Sequence, residues 1–147
     1  MRFVTAIAIF LSLTGLAAAM PEDDFADGLK GPWGRVDSNW QPFAGALSKN
    51  SCPPNGVKRK ESIGLFGDGG TMWIEPALGG ALHVHDGGPL PKLYTFVRMD
   101  GMTAAIYREG SVERRIALLA ADRMTHANLP GNAGLPAHNL VRCQIKK

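Results

Sequence analysis

From Ile63 onwards the chain alternates short apolar runs with turn formers, about one turn every ten residues. Asp68-Gly69-Gly70, Asp86-Gly87-Gly88, Asp100-Gly101 and Glu109-Gly110 carry the punctuation. Glycine reaches the positive φ angles that tight hairpins need, and the acidic residue before it suits the turn's first corner. Between these turns the periodicity is two. Ile63, Leu65 and Phe66 lead into the first turn, and Met72, Trp73 and Ile74 return from it. Leu82 and Val84 alternate with His83 and His85. Tyr94 to Met99, Thr103 to Arg108, the series Val112, Arg114, Ile116, Leu118, and Arg123 to Ala127 follow. A helical turn starting at Asp122 is the alternative at the last of these. Leu140 to Ile145 closes the pattern, with Val141, Cys143 and Ile145 on one face. Such a pattern predicts an all-β fold, an antiparallel meander of about seven or eight strands forming a small barrel or a sandwich. Ahead of it, Pro21 to Leu29 predicts a short N-terminal helix. Trp40, Phe43 and Leu47 are spaced for one face of a second helix across Gln41 to Ser48.

The first 19 residues read differently. Arg2 is followed by an uncharged apolar stretch from Phe3 to Ala19, with small residues at Ala17 and Ala19. That is the anatomy of a secretory signal peptide cleaved after Ala19. An uncleaved anchor is the alternative, but the run is shorter than a span of about 20 residues and meets Glu22, Asp23 and Asp24 at once. No cysteine follows the cleavage point, which disfavours a lipoprotein. The expected organisation is therefore a signal peptide at 1–19 and a single β-rich domain at 20–147, periplasmic or secreted. No later segment is apolar enough to span a bilayer as a helix.

Cys52 and Cys143 are the two cysteines, and both lie in the exported part. In an oxidising compartment they are expected to form one disulfide. No CxxC or Cys/His spacing suggests a metal site or a redox catalyst. The 16 Lys and Arg, one of them Arg2, nearly balance 13 Asp and Glu. So slight an excess does not point to nucleic acid.

Gly31-Pro32-Trp33 near the start of the exported part, the hairpins at Asp100 and Glu109, and the closing run Val141-Arg142-Cys143 resemble small exported bacterial barrels of the calycin type. Lipocalin-like proteins and periplasmic protease inhibitors belong there. Gly31 and Trp33 match the Gly-x-Trp of a lipocalin first strand, where the indole plugs the barrel's closed end. The resemblance implies a barrel and a binding role. The bridge between Cys52 and Cys143 would close a longer loop than the inhibitors have.

The sharpest local feature is His83-x-His85. On a strand the two rings share one side, about 7 Å apart, and with further ligands such a pair can hold zinc or copper. Asp86 is adjacent, and His126 and His138 come from late segments. The plainer reading makes both histidines the solvated face of a strand whose Leu82 and Val84 face the core. A cupin has a similar His-x-His but carries a Glu soon after, where this chain has Gly87, Gly88 and Pro89. Met72, Met99, Met102 and Met124 are read as core filler rather than as copper ligands. Asp68, Asp86 and Asp100 are read as turn residues rather than calcium ligands.

No Gly-x-Ser-x-Gly elbow is present, and Ser62 and Ser111 have no implied base. No catalytic residue and no cofactor is assigned. Trp33, Trp40, Trp73, Tyr94, Phe96 and Tyr107 either line a calyx for an apolar ligand or fill the barrel core. The expected function is that of a monomeric, non-catalytic binding protein, an inhibitor or partner of another exported protein. A small-ligand or metal carrier and a structural envelope-stress protein are the alternatives.

Overall fold

In the computed structural model, residues 21–58, 71–129 and 137–147 are described. The signal peptide expected at 1–19, the run Ile63–Phe66, Ser62 and Asp68 lie outside them. Eight antiparallel strands close into a barrel in strict sequence order. They are β1 (Gly31–Val36), β2 (Thr71–Pro76), β3 (Leu82–His85), β4 (Lys92–Met99), β5 (Ala104–Glu109), β6 (Val112–Ala120), β7 (Arg123–Asn128) and β8 (His138–Arg142). Arg123 thus opens a strand, not a helical turn. Of barrel and sandwich, the chain forms the barrel: β8 returns to pair with β1, setting Trp33 opposite Arg142 and Val36 opposite Asn139. Closure leaves no sheet edge exposed to pairing.

Register fixes which side chains point inward. Trp33 lies opposite Met72, Ile74 opposite Val84, and Leu82 opposite Tyr94. Phe96 lies opposite Tyr107, Ala105 opposite Ile116, Leu118 opposite Met124, and Met124 opposite Leu140. These residues form one core with the helix residues Phe25, Ala26 and Leu29. A bulge between Phe96 and Arg98 keeps both Phe96 and Met99 on the inner face.

Helix α1 (Glu22–Gly28) seals one end. Glu22, Asp23 and Asp24 occupy its first turn, where the helix dipole favours negative charge. Asp23 Oδ1 accepts from the Gly80 amide at 2.8 Å, tying the helix to the β2–β3 connection. Gly80 sits at φ 70°, and a Cβ there would come within 2.7 Å of Glu22 Cβ, so glycine is required twice over.

Trp33 is fully buried beneath this helix, and its indole Nε1 donates to Leu29 O at 2.8 Å. The Arg142 guanidinium lies 4.3 Å from the indole centroid. It donates to the carbonyls of Gly28 (2.6 Å), Ala121 (2.9 Å) and Lys30. One arginine thereby joins the last strand, the β6–β7 turn, the helix and the first strand.

The helix expected over Gln41–Ser48 is a 3-10 helix at Gly45–Asn50 instead. Asp37 Oδ1 accepts from the amides of Asn39 and Gln41, closing a tight turn that pairs Val36 with Pro42. Trp40 sits at φ 62° inside that turn, so it cannot share a helical face with Phe43 and Leu47. Leu47 is more than half exposed.

Cys52 and Cys143 form a disulfide, Cα–Cα 5.2 Å. It lies on the outer wall with Val57 and Trp73, forming a second small apolar cluster. Val57 extends this strap by bridging to Ile145, its amide donating to Gln144 O at 2.8 Å. β8 ends at Arg142, three residues sooner than the apolar pattern suggests, because Cys143 is turned into this outer strap.

Candidate functional site at the open end of the barrel

The end opposite α1 is where β1, β3, β5 and β7 finish, and its inward face is polar. Tyr107 lies opposite Arg114, Arg114 opposite Asn128, Ile116 opposite His126, and His126 opposite His138. Arg35 shares the inward face of β1 with Trp33 and lies opposite Leu140. Lys92 enters at the start of β4.

Two sub-clusters divide these groups. In the first, Arg114 Nη2 donates to Glu109 Oε2 at 2.5 Å and Nη1 to Asn128 Oδ1 at 2.7 Å. The same guanidinium lies 5.4 Å from the Tyr94 ring centroid. Lys92 Nζ reaches Asp86 at 2.6 Å and Glu109 at 4.0 Å. Each charge here is answered.

In the second, Arg35 Nη2 is 3.1 Å from His138 Nδ1, and the guanidinium lies 5.9 Å from the Phe43 ring centroid. A guanidinium only donates, so His138 Nδ1 must be the acceptor and the ring proton resides on Nε2. Burial, and then the Arg35 charge, push the His138 pKa below its ordinary value.

Below the mouth the interior is filled. Tyr107 lies 6.5 Å from both Phe25 and Tyr94, and 6.0 Å from Phe96. The Tyr94 ring stacks on His126 at 6.1 Å. Of the two readings of the aromatic residues, packing holds for Trp33, Tyr94, Phe96 and Tyr107. Trp73 instead packs outside on the disulfide, and Trp40 lies under Arg123, 5.4 Å from its guanidinium.

His126 is buried, and its pKa falls to about 4, first through desolvation and then through Arg114, His138 and Lys92. Burial likewise raises the pKa values of Tyr94 and Tyr107 above the ordinary phenol range. Among the described residues, three buried side-chain polar atoms have no hydrogen-bond partner: Arg35 Nε, Tyr107 Oη and His126 Nε2. All three belong to inward-facing side chains. Leaving such an atom unpaired costs about 1–3 kcal/mol, so three in one barrel are a concentrated expense.

His83 and His85 stand elsewhere, on the outer face of β3, with Leu82 and Val84 buried behind them. His85 Nε2 is 3.1 Å from Glu75 Oε2, and His83 lies opposite Glu75 across the β2–β3 ladder. His126 and His138 point into the lumen and do not join them. Among the described residues no three His, Cys, Asp or Glu side chains are grouped closely enough to hold a metal ion. Met124 is in the core with Met72 and Met99 packed against it, whereas Met102 is exposed. Asp86 pairs with Lys92, and Asp100 accepts from Arg115 Nε at 2.6 Å.

Comparison with known protein families, with curated proteins and with solved structures finds no match. Geometry alone therefore carries the functional reading. Sequence reasoning singled out the outer histidines and passed over Arg35, Arg114 and Glu109. Their signal was present: each occupies a position in phase with apolar neighbours, Arg35 with Trp33, Arg114 with Ile116, and Glu109 with Tyr107.

Proposed function

We propose that this chain is an exported, non-catalytic binding protein that engages another exported protein through the open end of its barrel. The observation that carries the reading is the asymmetry of the two ends. One is sealed by α1, Trp33 and Arg142; the other presents a charged rim over buried polar atoms without partners. Beside that rim Leu90 is 77% and Leu93 53% exposed, an apolar contribution suited to protein contact. The leader at 1–19 and the disulfide fit an oxidising compartment outside the cytoplasm. Among the described residues no helix is long and apolar enough to cross a membrane. The resemblance of Gly31-Pro32-Trp33 to lipocalin-like barrels supports the same assignment of closed and open ends.

The test uses the tagged mature chain as bait against the exported fraction of its own cells. A specific partner should be captured by the native chain and released by the Leu90→Asp, Leu93→Asp double variant. No capture, or capture indifferent to the substitutions, refutes the reading. A second reading, a small-ligand carrier, is favoured by the unpartnered atoms of Arg35, Tyr107 and His126. The packed aromatic layer confines any such ligand to the mouth.

A further inference from the structure

We propose that Arg35, backed by His138, is a carboxylate-recognition site at the mouth of the barrel. The inference rests on the open end being the binding end, and it names the chemistry recognised there.

Among the described residues, three arginines point inward in this barrel. Arg114 meets a carboxylate and an amide oxygen, at Glu109 and Asn128. Arg142 meets the carbonyls of Gly28, Ala121 and Lys30 and lies over Trp33. Of these three, only Arg35 has no oxygen acceptor among the described residues. The one hydrogen bond of its guanidinium among the described residues goes to a neutral imidazole nitrogen, and its Nε is buried and unpartnered. A guanidinium offers five donors in a planar fork, matched to the two oxygens of a carboxylate. Nε is one tine of that fork, and here it is held out of water with nothing to bond.

The surroundings pre-organise this fork. The Phe43 ring lies against the guanidinium, and His138 fixes one of its nitrogens. Ser51 holds the adjoining chain, accepting from the Phe43 amide and donating to Arg35 O, both at 2.8 Å. Glu109 and Asp86, the acids of the neighbouring cluster, are engaged by Arg114 and Lys92. An incoming carboxylate would therefore find an arginine whose charge and donors are not already spent. Nearby His126 supplies a second independent mark: it is 7% exposed, and its Nε2 lies unpartnered inside the same half of the barrel. The carboxylate has two sources, a free organic acid or the C-terminus of a partner chain.

The experiment follows the Arg35 Nε–Hε and His138 imidazole NMR signals of the mature, disulfide-bonded protein. The probes are sodium acetate, N-acetyl-glycylglycine and the C-terminal amide of that peptide. Acetate and the free-acid peptide should each shift both signals saturably; the amide should shift neither, and the signal of Arg115, on β6 and bonded to Asp100, should stay unmoved throughout. Tighter binding of the peptide acid than of acetate marks a chain terminus as the source; the reverse marks a small acid. Arg35→Lys keeps the charge but loses the fork, and should weaken binding about tenfold or more. No saturable shift at Arg35, an equal response to the amide, or an equal response to chloride or phosphate overturns the assignment. The comparison of acid with amide needs no variant, so it stands even if Arg35→Lys fails to fold. Failure here with successful partner capture would refute the carboxylate site and leave the binding role intact.

Discussion

Replacing His126 with phenylalanine should remove a specific part of the protein's acid sensitivity. The folded pKa of His126 is about 4 against an ordinary value of 6.5. The unfolded chain therefore takes up this proton first as pH falls, and stability drops between those two values. Each pKa unit corresponds to about 1.4 kcal/mol, so the full span is worth about 3 kcal/mol. By about pH 4.5 most of it, about 2.5 kcal/mol, should already be lost. His138 shifts in the same direction and adds to the slope. A phenylalanine at 126 preserves the stack on Tyr94, takes no proton, and removes the unpartnered Nε2. At about pH 7 the variant should lie within about 1 kcal/mol of the native chain, or above it. Urea unfolding of both proteins at about pH 7, 5.5 and 4.5 gives the answer as a difference of differences, in which the carboxylates they share cancel. The variant should gain on the native protein by about 2–3 kcal/mol across that range. If both lose stability in parallel, His126 is not held neutral by burial, and the account of a desolvated interior fails.

Further expectations follow from the seam and from the outer wall. Replacing Cys52 and Cys143 with alanine opens a loop spanning a sequence separation of 91 and should cost up to about 4–5 kcal/mol by the chain-entropy model, read from urea unfolding. An unchanged midpoint would show that the strap is held by Val57 and Trp73 without it. Gly34→Ala places a Cβ 2.5 Å from the Cys52 amide nitrogen, so it should destabilise by about 1–3 kcal/mol and slow formation of the disulfide in an oxidative refolding assay. Arg142→Met keeps the stem against Trp33 but abandons three carbonyls, and should cost about 2–4 kcal/mol by thermal unfolding. Protein purified without a histidine tag should carry no stoichiometric zinc, since His85 is bonded to Glu75 and no trio of ligands converges there among the described residues. Stoichiometric zinc that disappears in His83→Ala, His85→Ala would overturn this.

The strand rhythm was readable because it rests on local chemistry. Gly101 and Gly110 take positive φ, at 102° and 59°, where the hairpin turns were expected, and Leu82 and Val84 turn inward as their alternation requires. Closure was not readable. Pairing β8 with β1 is a contact between distant segments, and period-two patterning is the same for a barrel wall and a sandwich face. The 41–48 helix failed because Asp37 holds the chain in a turn with Trp40 at positive φ, which takes Trp40 off the face it would share with Phe43 and Leu47, an effect no apolar spacing reveals. The polar mouth was hidden for a related reason. Alternation tells which residues share a face, but not which end of a cylinder they reach. Arg35 and Arg114 therefore looked like interruptions of apolar strands, when they are inward residues near the rim. The disulfide was readable from the cysteine count and the compartment expected from the first 19 residues, although its place on the outer wall was not.

The seam between β1 and β8 also has a timetable. Arg35 and His138, which meet across it, are separated by 103 residues, whereas β4 to β7 are joined by short turns. Loop-closure entropy makes such a distant pairing late, after the local hairpins have formed. Until it forms, the edges of β1 and β8 are open to other chains, and the mouth that Arg35 and His138 share does not exist. Cys143 follows β8 directly, so the same docking that completes the open end brings the thiols together. Oxidation then records that the cylinder has shut, and a chain that has not shut keeps two free thiols as the mark of an unfinished molecule.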